Sequence, residues 1–490
     1  MTRQGSDPSV VIVGAGVAGL GLGIRLRRRG ARSFTILERG AEVGGVWRDN
    51  TYPGVACDIP SHLYCYSFLP KDDWTRVFAP GAEIQGYLRD AARSEGLADH
   101  LRLDTPMERA AWQEETGCWT VTTPAGELSA DVLVLAAGRL TEPRLPDVPG
   151  LDGFAGRAFH SSRWDPRPLG GLRVGVVGTG ASAVQLLPHV TERAAHTVVF
   201  QRTPAWVLPR GDRAFTADEQ RPARADLAAE AERLFEARIS GSSAAAALRD
   251  RALDHLRRGV ADERLRAALT PAYEIGCKRA LFSDDYYPTL QRDDVTLEPS
   301  ALERVDGGRA IAGSGAGYDL DVLVFATGFE TTRQPYAALV TGREGRTLAE
   351  HWADGMTSHA STVVHGFPNL FVLDGPNATL GHHSAFEVIE GQIDYVLGGL
   401  AHLDRTGGAP LEVSAAAETA YADLIDRLAA PTVWINGGCQ SWYVDPATGR
   451  LALLWPERAT EFRRRNGTFD PAPFRGQPTV RDAGQTGGRR

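Results

Sequence analysis

The sequence predicts an α/β fold of two nested parallel-sheet modules with helices inserted into the second, and three observations carry that expectation. Two short β-branched runs, 9–14 (SVVIVG) and 172–178 (LRVGVVG), each lead into a glycine-rich turn and a helical stretch. Two later runs, 131–138 (DVLVLAAG) and 321–328 (DVLVFATG), echo one another, and each ends in small residues and glycine. Short, uninterrupted apolar runs of this kind read as strands buried on both faces of a parallel sheet.

The elements follow in order. The run 9–14, a helix to about residue 29 and a second strand at 33–38 make one βαβ unit. The run 172–178, a helix to about residue 190 and a strand at 196–202 make another. Between the modules, 140–153 carries Pro143, Pro146 and Pro149 and reads as a linker or hinge. From 212 to 269 the chain is rich in Ala, Arg, Glu and Leu without strand patterns, so helices are expected there. The expected division is therefore 1–140 with 375–490 as one discontinuous module, 154–208 with 271–335 as the second, 209–270 as the helical insertion and 140–153 as the linker. The tail after about 475 is polar and reads as disordered.

Composition narrows the function. Of 490 residues, 43% are hydrophobic and 23% charged, ordinary for a globular enzyme. The net charge of -8 argues against a nucleic-acid partner, which would favour a basic excess. Cys57, Cys65, Cys118, Cys277 and Cys439 form no C-x-x-C pair and have no zinc-type spacing, which speaks against a metal site and against a disulfide reductase. Their odd number and wide spacing suggest reduced thiols in a cytoplasmic protein. The apolar stretch 10–24 is glycine-rich and follows a polar start, so it reads as strand and helix rather than a leader, and no run is long enough for a membrane span.

The turns carry the chemistry. Gly14, Gly16 and Gly19 match G-x-G-x-x-G between a strand and a helix, with Glu38 at the end of the next strand. In such a Rossmann-like turn the first glycine permits the bend, the second admits a pyrophosphate and the third lets helix and strand pack. The second loop, Gly178, Gly180 and Ala183, has the same spacing. From Gly14 to Glu38 is 24 positions, and from Gly178 to Arg202 is also 24. An acid suits a free ribose 2′-hydroxyl, whereas an arginine suits a 2′-phosphate. The first site is thus expected to hold FAD or NAD and the second NADP, with hydride passing between them.

Several segments then resemble one family. Trp47 in G-G-V-W, Tyr52 in Y-P-G and Asp58 match the flavin-side fingerprint of the Baeyer–Villiger monooxygenases, class B flavin-dependent enzymes. Phe154, Gly156, His160, Trp164 and Asp165 match that family's F-x-G-x-x-x-H-x-x-x-W-[PD] signature. The segments around Arg202, Lys278–Arg279, Gly328, Asn377 and Trp442 are similar as well, so the likeness runs from 10 to about 474. It implies that NADPH reduces FAD, that O2 adds to the flavin as a C4a-peroxyflavin, and that this attacks a ketone to give an ester or lactone. By position it makes Arg279 the catalytic arginine and Asp58 its carboxylate partner. It gives Gly14, Gly16, Gly19, Glu38, Val46, Trp47, Arg48, Asp49, Asp58, Tyr64 and Met107 to FAD. It gives Gly178, Thr179, Gly180, Ser182, Gln185, Arg202, Thr203 and Lys278 to NADP, and links His160 to domain movement.

Physical chemistry supports Arg279 separately, because a permanently charged guanidinium stabilises an anionic nucleophile and a charged adduct. Trp442 and Tyr443 fit a pocket wall, a nucleotide contact or core packing, His382 and His383 a flavin neighbour or a structural role, and Cys277 a reactive thiol beside two cations or, by preference, a small packing residue. One departure stands out: after Ser441 the chain reads V-D-P-A-T-G-R at 444–450 where family members acting on simple cycloalkanones carry a loop like G-A-N-I-P-G-K. The competing readings are a flavin monooxygenase acting on nitrogen or sulfur, an NADPH-dependent flavin reductase, and a cofactor-binding scaffold.

Overall fold

The structure, a computed structural model, describes residues 8–216, 219, 221–407 and 409–476. The tail expected to be disordered thus lies outside the described residues but for its first residues.

Both apolar runs become the central strand of a parallel sheet. Val10–Val13 lies between Phe34–Leu37 and Val132–Leu135, with Leu101–Arg102 and Leu370–Val372 at the edges. Arg173–Val177 lies between His196–Phe200 and Val322–Phe325, with Val295–Glu298 and Arg157–His160 at the edges. The two sheets share one plan, and the echo between 131–138 and 321–328 marks the same strand in each. All four residues of both echo strands are buried, as a sheet covered on both faces requires.

The repeat extends further than the sequence suggested. Each module carries an antiparallel meander just before its echo strand: Arg109–Gln113, Cys118–Thr123 and Gly126–Ala130 in the first, Leu302–Asp306, Arg309–Ala312 and Gly317–Asp319 in the second. The chain crosses between modules in two adjacent strips. The Arg144 N–H donates to the Gly328 carbonyl at 2.9 Å, and the Glu330 N–H to that of Glu142 at 2.9 Å. Val340–Thr341 then pairs with Arg109–Gln113, so the return to the first module begins well before residue 375.

Val207–Leu208 and Leu281–Phe282 pair in parallel and bracket the insertion. Between them run the helices Arg224–Arg233, Ser243–Gly259 and Glu263–Ala268, the last two capped by Ser242 and Asp262 side chains that accept from Ala245 N and Leu265 N. The insertion reaches back over the first module, where Arg224 donates to the Cys65 carbonyl at 3.0 Å. The long helix Ala385–Arg405 packs against Val17–Arg28 beneath the first loop.

The expectation of five reduced thiols is wrong. Cys277 and Cys439 form a disulfide across 162 residues, with Cα atoms 6.2 Å apart. Spacing along the chain could not show this, because only folding brings the segment before the return strand Leu281–Phe282 against the C-terminal segment. Among the described residues no helix is long and apolar enough to cross a membrane, and no cluster of ligands could hold a metal.

Candidate active site

The two glycine loops are built alike. Gly14 has φ +108° and Gly178 φ +110°, and a Cβ on either would sit 2.4 Å from the Ala136 carbonyl oxygen or 2.6 Å from that of Ala326. Those two alanines directly follow the echo strands, so each loop is pressed against its own sheet at the same point. The next glycine faces the other way. A Cβ on Gly180 would meet nothing within 4 Å, and one on Gly16 only backbone atoms of Gly45, the nearest at 3.6 Å. Helices Val17–Arg28 and Ala181–Thr191 start at these glycines without a side-chain cap. Uncapped N–H groups before an open cradle fit a pyrophosphate at both places.

Around the first loop, Glu38 is 4% exposed. Its carboxylate accepts from Ala15 N at 2.9 Å, Gly40 N at 2.8 Å and Arg48 Nη1 at 2.7 Å. Two oxygens hold about four acceptor positions, so the group retains capacity for a ribose hydroxyl. Arg48 also pairs with Asp49 at 2.7 Å. Trp47, beside Val46 on the short helix Val46–Asp49, donates to the Tyr64 hydroxyl at 3.2 Å. Met107 is buried beneath the first sheet.

Around the second loop, Thr179 Oγ1 donates to the Thr203 carbonyl at 2.9 Å. Arg202 is exposed, and Lys278 lies over the Tyr273 ring at 5.2 Å. Burial holds the Lys278 pKa below the usual lysine value, and the Arg202 charge adds to that. Two cations close enough to oppose one another suit a dianionic phosphate between them. Ser182 lies in the first turn of helix Ala181–Thr191. Gln185, expected to line the nucleotide site, engages the other module: its amide accepts from the Tyr52 hydroxyl and donates to the Ala56 carbonyl, both at 2.9 Å.

Arg279 and Asp58 meet where the modules face each other. Arg279 Nε donates to Asp58 Oδ2 at 2.6 Å and Nη2 to Oδ1 at 2.8 Å, a two-pronged pair. Their side chains are 26% and 25% exposed. Burial acts to raise the Asp58 pKa, but the Arg279 charge and hydrogen bond outweigh it and leave the carboxyl below its usual range. Burial acts against the Arg279 charge too, yet Asp58 leaves its pKa above the ordinary arginine value. Arg210 donates to the Cys57 carbonyl at 2.9 Å and braces the loop that carries Asp58.

Tyr443 is buried near the same guanidinium: burial raises its pKa while Arg279 and Arg238 pull it down. Trp442 is 38% exposed beside it. His160 ends its strand in contact with Phe329, next to the crossing strips, with Nδ1 2.9 Å from Ser162 Oγ. His382 and His383 are buried, and His383 Nδ1 accepts from Ser384 N at 2.9 Å.

Three features were not singled out in the sequence. Arg139 pairs with Asp374 at the carboxyl ends of two neighbouring strands of the first sheet, and the R after A-A-G and the D after F-V-L were the available signals. Arg238 is buried in the turn Leu234–Arg238, one of many arginines in the insertion and without a signal of its own. The third is the disulfide, which joins the residue next to Lys278 to the segment leading to Trp442.

Two matched dinucleotide loops with a paired arginine and aspartate at their seam define a two-nucleotide oxidoreductase. Comparison with known proteins narrows the class. A flavin-binding monooxygenase-like family model matches residues 7–338. A Baeyer–Villiger monooxygenase of Streptomyces coelicolor is 42% identical over 477 residues, which cover 95% of this chain and 92% of that protein. A crystal structure of OTEMO in complex with FAD and NADP superposes with a TM-score of 0.84 at 27% identity, covering 94% of this chain and 97% of that one. An oxidized steroid monooxygenase bound to NADP superposes at 0.81 with 31% identity, covering 93% and 96%. The chain belongs to the flavin-binding monooxygenase-like family, among its Baeyer–Villiger monooxygenases.

Proposed function

We propose that Arg279 and Asp58 form the reaction centre of this FAD- and NADPH-dependent Baeyer–Villiger monooxygenase, which uses O2 to place one oxygen beside a ketone carbonyl and gives an ester or lactone. The observation that carries this reading is the two-pronged Arg279–Asp58 pair at the seam between the two nucleotide modules. Bound flavin, once reduced by NADPH, supplies the activation of O2.

The chain's own residues do the rest. Arg279 holds a fixed, oriented positive charge where negative charge grows during oxygen transfer. Asp58 orients the guanidinium and offsets its charge before substrate arrives. Gly14, Gly16, Gly19, Glu38, Val46, Trp47, Arg48, Asp49, Tyr64 and Met107 hold FAD. Gly178, Thr179, Gly180, Ser182, Arg202, Thr203 and Lys278 hold NADPH, with the last-named lysine and Arg202 selecting it over NADH. Gln185 ties the two halves together, and His160 sits at the strips where they hinge.

The Arg279→Ala enzyme tests this. NADPH still bleaches its flavin, while ester formation falls on the order of a hundredfold or more, as for loss of one preorganised donor. Wild-type ester yield from that variant would falsify the assignment. Offering a ketone and a thioether together separates this reaction from heteroatom oxygenation.

A further inference from the structure

Arg238 stands apart from the other arginines near the site. It is 8% exposed, on the insertion, between the loop that carries Arg279 and the turn at Gly381. Nη2 donates to the Gly381 carbonyl at 3.2 Å. Nη1 is buried without an acceptor and lies 3.1 Å from where a Cβ on Gly276 would stand. Arg279 has Asp58 and Arg139 has Asp374. Arg238 makes no ion pair with any described carboxylate, and the charged or titratable groups that bear on it are Tyr443, Arg279 and His382. Burial lowers its pKa to about 10, so it is still charged at neutral pH. A guanidinium kept charged in a dry site beside a second guanidinium is strongly unfavourable unless an anion completes it.

The cofactors already have places for their anionic groups. Pyrophosphates fit the cradles at Gly16 and Gly180, and a 2′-phosphate fits between Arg202 and Lys278. The charge at Arg238 is left over for a third molecule.

We propose that Arg238 anchors a carboxylate or similar oxyanion of the substrate, so that the ketones this enzyme accepts carry a negative charge away from the carbonyl. The identity of the carbonyl rests on the Baeyer–Villiger reading above, but the charge preference does not.

The test measures binding separately from product. Cyclohexanecarboxylate, 4-oxocyclohexanecarboxylate and the methyl ester of the latter are titrated into oxidised holoenzyme, with calorimetry and flavin absorbance as readouts. Both carboxylates are expected to bind at least tenfold more tightly than the ester. Arg238→Met abolishes that preference, and Arg238→Lys retains part of it. Equal binding of acid and ester by the wild type, or an undiminished preference in Arg238→Met, overturns the proposal. Loss of flavin from Arg238→Met also overturns it, because the charge then serves the cofactor. Carboxylate preference with no lactone formed from 4-oxocyclohexanecarboxylate under turnover with NADPH and O2 sinks the Baeyer–Villiger reading and leaves the anion site standing.

Discussion

On the proposed reading, Lys278 and Arg202 set the choice of nucleotide. Burial first, and then the Arg202 charge, depress the Lys278 pKa. A depressed lysine loses its proton earlier as pH rises, so affinity for the 2′-phosphate fades below the ordinary lysine range. The KM for NADPH is expected to climb on the alkaline side, while that for NADH stays level. Arg202→Ala has two effects. It costs NADPH about 1.5–3 kcal/mol, a lost hydrogen bond between charged groups, and NADH little. It also removes the repulsion, so the alkaline rise starts at higher pH. KM measured against pH for both nucleotides in both enzymes checks the sign. A rise that starts at the same pH in Arg202→Ala means the two cations do not share one phosphate. Asp58 behaves oppositely: with its pKa lowered, the contribution of its pair with Arg279 is present at neutral pH and is lost only in acid, as pH falls through that lowered value.

At the scale of loops and strands, geometry separates glycines that shape a turn from those that admit a ligand. Gly14 and Gly178 are held by positive φ and by a carbonyl behind them, so a side chain at either disrupts the fold. Gly180 has open space, and Gly180→Ala is expected to fold with wild-type Tm and flavin content while its KM for NADPH rises about tenfold, because the methyl stands where the pyrophosphate approaches. A large drop in Tm would show that this glycine too serves the turn. The cysteine bridge makes a second expectation. Non-reduced, denatured protein should titrate three thiols, those of Cys57, Cys65 and Cys118, and the Cys439→Ser variant four. Closing so long a loop contributes about 2–4 kcal/mol, so reduction should lower Tm. Five thiols in the wild type would mean the bridge does not form. The glycine turns, both βαβ units and the echo strands were legible because strand, turn and helix are encoded within some thirty residues. The meanders were not: their strands are short and part-exposed, as in Gly126–Ala130, and give no long apolar run. Nor was the Cys277–Cys439 bridge, since a contact across 162 residues leaves no local trace.

For the whole molecule, the question is whether two modules of one plan behave as one body. The insertion belongs in sequence to the second module yet packs on the first through Arg224 and Arg238. Helix Ala181–Thr191 reaches the first module through Gln185, and the crossing strips pair between the modules. The pairing of Asp58 with Arg279 was legible only through resemblance, because 221 residues separate them and no spacing rule joins such distant positions. That pair exists only while both modules stand together. If so, and with flavin on the first module as proposed, a ligand of the second module must also protect that flavin. NADP+ at a hundred times its Kd stabilises whatever unit unfolds with it by about 2.7 kcal/mol. For cooperative unfolding of a chain this size that is a rise of about 2–3 °C in Tm. Thermal scans of holoenzyme followed by flavin fluorescence, which reports release from the first module, should therefore shift by that amount when NADP+ is added. Protein unfolding followed by circular dichroism should shift with it. A flavin-release transition that stays put while the second module alone gains stability would mean that the contacts across the seam are too weak to couple the modules, and that the Arg279–Asp58 pair is remade at each turnover.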